Sequence, residues 1–178
     1  MIALCDGTMH EFNKPFVPNI ETIASSLANI NRFNGHVGQY SVAQHCVMIS
    51  MKLPPELKLS GLLHDAPEAY IGDVSAPLKR LLPDYRDIEQ FYHDQIDRHF
   101  GVQTQHPIVK EYDIRMLAYE GLVFGLNTDE FPKVEPLYEG AIQRWSWNNA
   151  RIAFLETYKR LIKSNASYEP APPVNPNC

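Results

Sequence analysis

Apolar residues recur at three- and four-residue spacing through most of the chain, and this pattern predicts helices. Ile20, Ile23, Ala24, Leu27, Ala28 and Ile30 share one face behind Asn19, a residue suited to cap a first turn. That helix is expected to end near residues 31–34, before Gly35 and Gly38, which places Arg32-Phe33 at its C-terminal end. A second stripe, Val42, Ala43, Cys46, Val47 and Ile49, follows Ser41 with Gln44 three positions on. This is the signature of a capping box and predicts a helix over 42–52.

Pro54-Pro55 ends that helix, and the run from Leu57 to Leu63 starts another. A short helix is expected within 75–82, with Pro77 at an early position and Pro83 as its breaker. Ile88, Phe91, Tyr92 and Ile96 predict a helix over 85–100, closed by Gly101. Pro107 opens a long helix to about residue 126, with Asp113 in its first two turns. Residues 127–138 read as a loop, and a last helix begins at Trp145 or Ser146 and runs through Ile162. Only the N-terminus departs from the helical period. There Asp6-Gly7 separates two short apolar runs and predicts a small β-hairpin. The reading is an all-α domain over 1–163 with that hairpin, followed by a proline-rich, poorly ordered tail over 164–178.

With 178 residues, 44% of them hydrophobic, the chain is long enough to bury a core. A net charge of −5 argues against a nucleic-acid polymer as partner. It does not argue against a small anion, for which a local cluster of Arg and Lys suffices. Cys5, Cys46 and Cys178 have no spacing that suggests a disulfide framework or a zinc ribbon. Neither a signal peptide nor an apolar run of spanning length is visible, so a cytoplasmic protein without a membrane anchor is expected.

The stretch from Gly61 to Asp73 changes the picture. A run that buries leucines ends abruptly in His64, Asp65, Glu68 and Asp73. If the helix continued through Glu68, His64 and Glu68 would share a face, and Asp65 would neighbour Glu68. Imidazole and carboxylate are ordinary ligands of zinc, cobalt or manganese. His45 and Asp113, from two other predicted helices, complete a candidate set with His64 and Asp65, in the way facing helices build metal sites. Taken singly, each has a plainer reading: a core histidine, a cap, a solvated acid.

The set His45, His64-Asp65, Asp113 resembles the H…HD…D pattern of the HD-domain metal-dependent phosphohydrolases. The strings His64-Asp65-Ala66-Pro67-Glu68, Gly72-Asp73 and Pro77-Leu78-Lys79 resemble the bacterial 5′-deoxynucleotidase branch, as does Ile30-Asn31-Arg32-Phe33. The layout from residue 12 to His64 is similar to compact phage members, among them dATP triphosphohydrolases. The resemblance spans about residues 10–125. Two features depart from the bacterial branch: a shorter spacer between His45 and His64, and Phe33 where that branch carries Trp.

The resemblance implies an HD-domain helical bundle holding a divalent Zn, Co or Mn ion, with a second Mg ion accompanying the phosphates. It implies Glu68 and Asp73 as catalytic acids and Arg32 and Lys79 as phosphate ligands. Phe33 would lie against sugar or base, and Pro77 would crowd the sugar edge. The implied activity is hydrolysis of 2′-deoxynucleotides, first as a dNTP triphosphohydrolase preferring dATP, and alternatively as a 5′-deoxynucleotidase acting on monophosphates. A non-catalytic nucleotide-binding module is the rival of another class. A homo-oligomer is expected.

Overall fold

The computed structural model describes residues 1–127, 129 and 131–166, which are mostly helical with one tiny sheet at the N-terminus. Strands β1 (Ile2–Ala3) and β2 (Met9–His10) pair antiparallel, Ile2 opposite His10. The predicted Asp-Gly turn lies between them, with Gly7 at φ 84° and the Asp6 carboxylate accepting from Thr8. Among the described residues eight α-helices follow: α1 (Ile20–Asn29), α2 (Val42–Lys52), α3 (Lys58–Leu63), α4 (Glu68–Ile71), α5 (Ala76–Lys79), α6 (Pro83–Phe100), α7 (Pro107–Val123) and α8 (Trp147–Ala166).

Local chemistry sets most of their ends. The Asn19 side chain accepts from the amides of Glu21 and Thr22 at the start of α1. The Ser41 hydroxyl accepts from Gln44 N–H at 3.2 Å, but Gln44 does not complete the capping box. Its amide instead donates to Gln143 O and accepts from Trp145 N–H, tying α2 to the segment before α8. α7 closes with Gly125 at φ 63° and Leu126 N–H bonded back to Gly121 O, a glycine C-cap. Pro83 does not merely break the preceding turn; it opens α6, whose first position needs no N–H. Ser146 caps α8, and that helix runs through the first three residues of the predicted tail. The rest of the tail lies outside the described residues.

The core is built where α1, α2, α3 and α8 meet. Ile23, Leu27, Val42, Cys46, Leu62, Leu63 and Phe154 are wholly buried there. A second cluster, with Tyr40, Ile49, Leu53, Val109, Met116 and Tyr119, joins α2 to α7. α2 therefore stands between two apolar layers. Its polar residues His45 and Gln44 are buried with its apolar ones. No described helix is long and apolar enough to cross a membrane.

Two expectations about the backbone change. α1 stops at Asn29, because the next residues form a bridge between Asn31 and Ser41. Arg32 N–H donates to Tyr40 O and Val42 N–H to Ile30 O. Arg32-Phe33 thus lies beyond the helix, on a tight turn in which Phe33 (φ 55°) and Asn34 (φ 51°) take left-handed conformations. The helix over the histidine–aspartate pair also does not continue to Glu68. Pro67 has no N–H, and from Ala66 to Tyr70 the amides bond three residues back, to Leu63, Asp65, Ala66 and Pro67.

Candidate metal centre

Three elements bring the four predicted ligands together. His45 comes from the buried middle of α2, His64 and Asp65 from the turn after α3, and Asp113 from the second turn of α7. One ligand atom from each of His45, His64 and Asp65 lies within 4.8 Å of the others. The His45 Nε2 is 3.7 Å from Asp65 Oδ2 and 3.3 Å from Asp113 Oδ1. The His64 Nε2 is 3.2 Å and 3.9 Å from the same two oxygens.

The far nitrogens decide what the near ones can do. The Nδ1–H of His64 donates to Gly61 O at 2.8 Å, and a carbonyl can only accept. The Nδ1 of His45 is 2.6 Å from Oε1 of Glu120, a wholly buried carboxylate. Burial pushes Glu120 up, but Arg32 and His45 outweigh it and hold the carboxyl below its ordinary range. An ionised carboxylate accepts, so the His45 proton also sits on Nδ1. Both Nε2 atoms are buried without a hydrogen-bond partner. Two imidazole Nε2 atoms beside two carboxylates form a donor set that fits a divalent transition ion, whose charge would displace any proton from Nε2. Without an ion, burial lowers the His64 pKa but neighbouring Asp65 and Cys46 raise it further, to a net position well above the ordinary value. Asp65 and Asp113 both fall below theirs: burial opposes the shift, and the imidazoles overcome it.

Glu68 opens α4, buried, with its Oε2 unpartnered. Burial first, and then the charges of Asp65 and Asp73, hold its carboxyl well above the ordinary range. Asp73, past Gly72 at φ 81°, is raised by burial while Arg32 and Lys79 pull it down. Arg32 binds Glu120 through Nε (3.1 Å) and Nη2 (2.8 Å) and presents Nη1 to Asp65 at 3.9 Å. Lys79 pairs with Glu89 of α6 and lies 5.7 Å from the Tyr85 ring centroid. Phe33 packs near Phe124 and Phe131, with ring centroids 6.2 and 6.5 Å away. Pro77 is exposed on α5.

Sequence reasoning missed Glu120. Its signal was spacing: it lies seven residues after Asp113, two helical turns along the same face of α7. Tyr40, whose hydroxyl donates to Glu120 Oε1 at 2.7 Å, carried no such signal.

The fold and the centre define a mostly helical protein in which two buried histidines meet two partly buried aspartates. No protein-family profile matches the chain. Over 123 residues it is 45% identical to the uncharacterized protein YfdR of Escherichia coli, a match covering 68% of this chain and 67% of YfdR. The chain belongs to the YfdR family. It is also 37% identical over 75 residues to the uncharacterized protein RCAP_rcc00048 of Rhodobacter capsulatus, with 36% of this chain and 38% of that protein covered.

Proposed function

We propose that the protein is a metal-dependent phosphohydrolase of 2′-deoxynucleotides, built on an HD-type helical bundle. The observation that carries this reading is the pair of buried, bare Nε2 atoms of His45 and His64 converging with Asp65 and Asp113. A closed structural site would need no further acids, yet Glu68 stands unpartnered beside it and Asp73 follows on the adjoining loop.

His45, His64, Asp65 and Asp113 would hold the ion, which supplies Lewis acidity for a water and a phosphoryl oxygen. Glu68 takes the proton of the attacking water through its free Oε2. Arg32 Nη1 binds a phosphate oxygen while Glu120 holds the rest of the guanidinium. Asp73, on the loop after α4, orients water or a second cation carried by the phosphates.

Resemblance to the compact phage enzymes favours a triphosphohydrolase preferring dATP, releasing deoxyadenosine and triphosphate. One observation favours the monophosphate reading: the nearby cations already hold carboxylates, Arg32 with Glu120, Lys79 with Glu89 and Lys110 with Asp113. Three phosphates would compete with those pairs; one needs only Arg32.

Product analysis tests the proposal. The purified chain is incubated with each dNTP, dNMP and ribonucleotide and with Co²⁺, Mn²⁺, Zn²⁺ or Mg²⁺. Deoxyadenosine with intact triphosphate establishes the first reading, and orthophosphate from dNMPs alone establishes the second. Bound metal without turnover of any substrate rejects both and leaves a binding module.

A further inference from the structure

Glu120 is wholly buried, and among the described residues it takes hydrogen bonds from two residues of the candidate site, His45 and Arg32, and from Tyr40. Its Oε1 accepts from His45 Nδ1–H at 2.6 Å and from the Tyr40 hydroxyl at 2.7 Å. Its Oε2 accepts from Arg32 Nε and Nη2 at 3.1 and 2.8 Å. Four donors therefore meet the four lone-pair positions of one carboxylate. The donors come from three places on the chain: α2, the left-handed turn after α1, and Tyr40 just before α2. Only α7 supplies the acceptor. This is more than neutralisation of a buried arginine, because the same group also decides which imidazole nitrogen is bare.

We propose that Glu120 is the positioning residue of this centre, one carboxylate that locks His45 with its Nε2 lone pair toward the ion and aims the free edge of Arg32 at the bound anion. The inference rests on the metal-centre reading and deepens it: the ion site and the anion site share one mechanical anchor.

Glu120→Gln tests it with almost no change of shape. An amide offers one oxygen and one NH₂, but both ends of this group face donors. If the nitrogen faces His45, Nδ1 must become an acceptor, the proton moves to Nε2, and the metal lone pair is lost. If it faces Arg32, N–H meets N–H and the guanidinium swings away. Metal affinity is read by competing Co²⁺ against a chromophoric chelator, and anion affinity by calorimetric titration of inorganic phosphate into the Zn²⁺-saturated protein. The expected result is metal binding weaker by about 10–100-fold, phosphate binding weaker by about 10-fold, or both. Wild-type affinity for both probes, in a folded variant, overturns the role of Glu120 and leaves the metal centre standing. Failure of the wild-type chain to bind any of the metals overturns the centre itself. Should the variant not fold, the imidazole ¹⁵N spectrum of the Zn²⁺-loaded wild type decides. His45 is expected as the Nδ1–H tautomer with that proton protected from exchange; an Nε2–H tautomer rejects the proposal.

Discussion

At the scale of the residue, the centre is set by which nitrogen each histidine turns toward the acids. His64 and His45 each turn Nδ1 to a different acceptor, a helix carbonyl and a buried carboxylate, and so present Nε2 to Asp65 and Asp113. The two acids near them are placed differently. Asp65 stands within 4 Å of both imidazoles and of Arg32, whereas Glu68 keeps a buried Oε2 without a hydrogen-bond partner. Asp65→Ala is therefore expected to abolish metal binding and hydrolysis together. Glu68→Gln should keep the metal and lose turnover by about 10²–10⁴-fold, the scale of general acid–base catalysis. Metal content by mass spectrometry and single-turnover kinetics on the two variants separate the roles, and an unchanged rate in Glu68→Gln would remove the proton-transfer assignment. The four residues that converge here were legible in the sequence as candidates because histidine and aspartate are conspicuous in apolar runs. Glu120 was not, since an acid in a mixed helix such as α7 looks solvated until Arg32, Tyr40 and His45 are folded onto it.

At the scale of the element, each predicted helix that local chemistry governs formed close to its expected place. Asn19, Ser41, Gly101 and Pro107 act through bonds within a few residues, so a single sequence displays them. The bounds that moved were those set from a distance. α1 ends early because Asn31 pairs with Ser41, ten residues on, and Arg32 then turns inward through two left-handed residues. The turn at His64-Asp65 depends equally on how closely α3 approaches α2. Gly61 permits that approach: a Cβ there would lie 2.1 Å from Leu53 Cδ1 and 3.5 Å from Ile49 Cγ2. Leu53 is almost fully buried, so its methyl has little room to retreat. Gly61→Ala should gain up to ~1 kcal/mol of helix propensity and lose about 1–3 kcal/mol to overpacking, a net destabilisation seen as a lower urea midpoint. Because Gly61 O also fixes His64, metal affinity should fall with it. Shortening the neighbour in the double variant with Leu53→Val should recover part of both losses, and strict additivity of the two substitutions would reject the contact as the cause.

At the scale of the whole molecule, the N-terminal hairpin is the part least explained by its own size. Two residues per strand cannot hold a sheet in water, so the pairing must be fastened from outside. The fastener is His10. Its ring is buried among Phe16, Tyr70 and Tyr92 at centroid distances of 4.9, 5.0 and 5.6 Å, and its Nε2 is 2.6 Å from the Tyr92 hydroxyl. Tyr70 belongs to α4, two residues after Glu68, and its hydroxyl oxygen accepts from Asn19 N–H at the start of α1. One histidine thus joins the hairpin to α4 and α6. Burial, and after it the positive N-terminus, hold the His10 pKa below its ordinary value. The unfolded chain consequently takes up this proton first as pH falls from about 6.5. Stability from His10 is complete above that value and is lost progressively down to the folded pKa. Buried His93 shifts the same way and metal-free His64 the opposite way, so only a paired comparison isolates His10. The stability difference between wild type and His10→Phe, measured by urea unfolding from pH 8 to pH 5.5, should move steadily in favour of the variant as pH falls. A difference that stays constant across that range would show that the hairpin is held by the aromatic rings alone and that the imidazole carries no proton-linked strain.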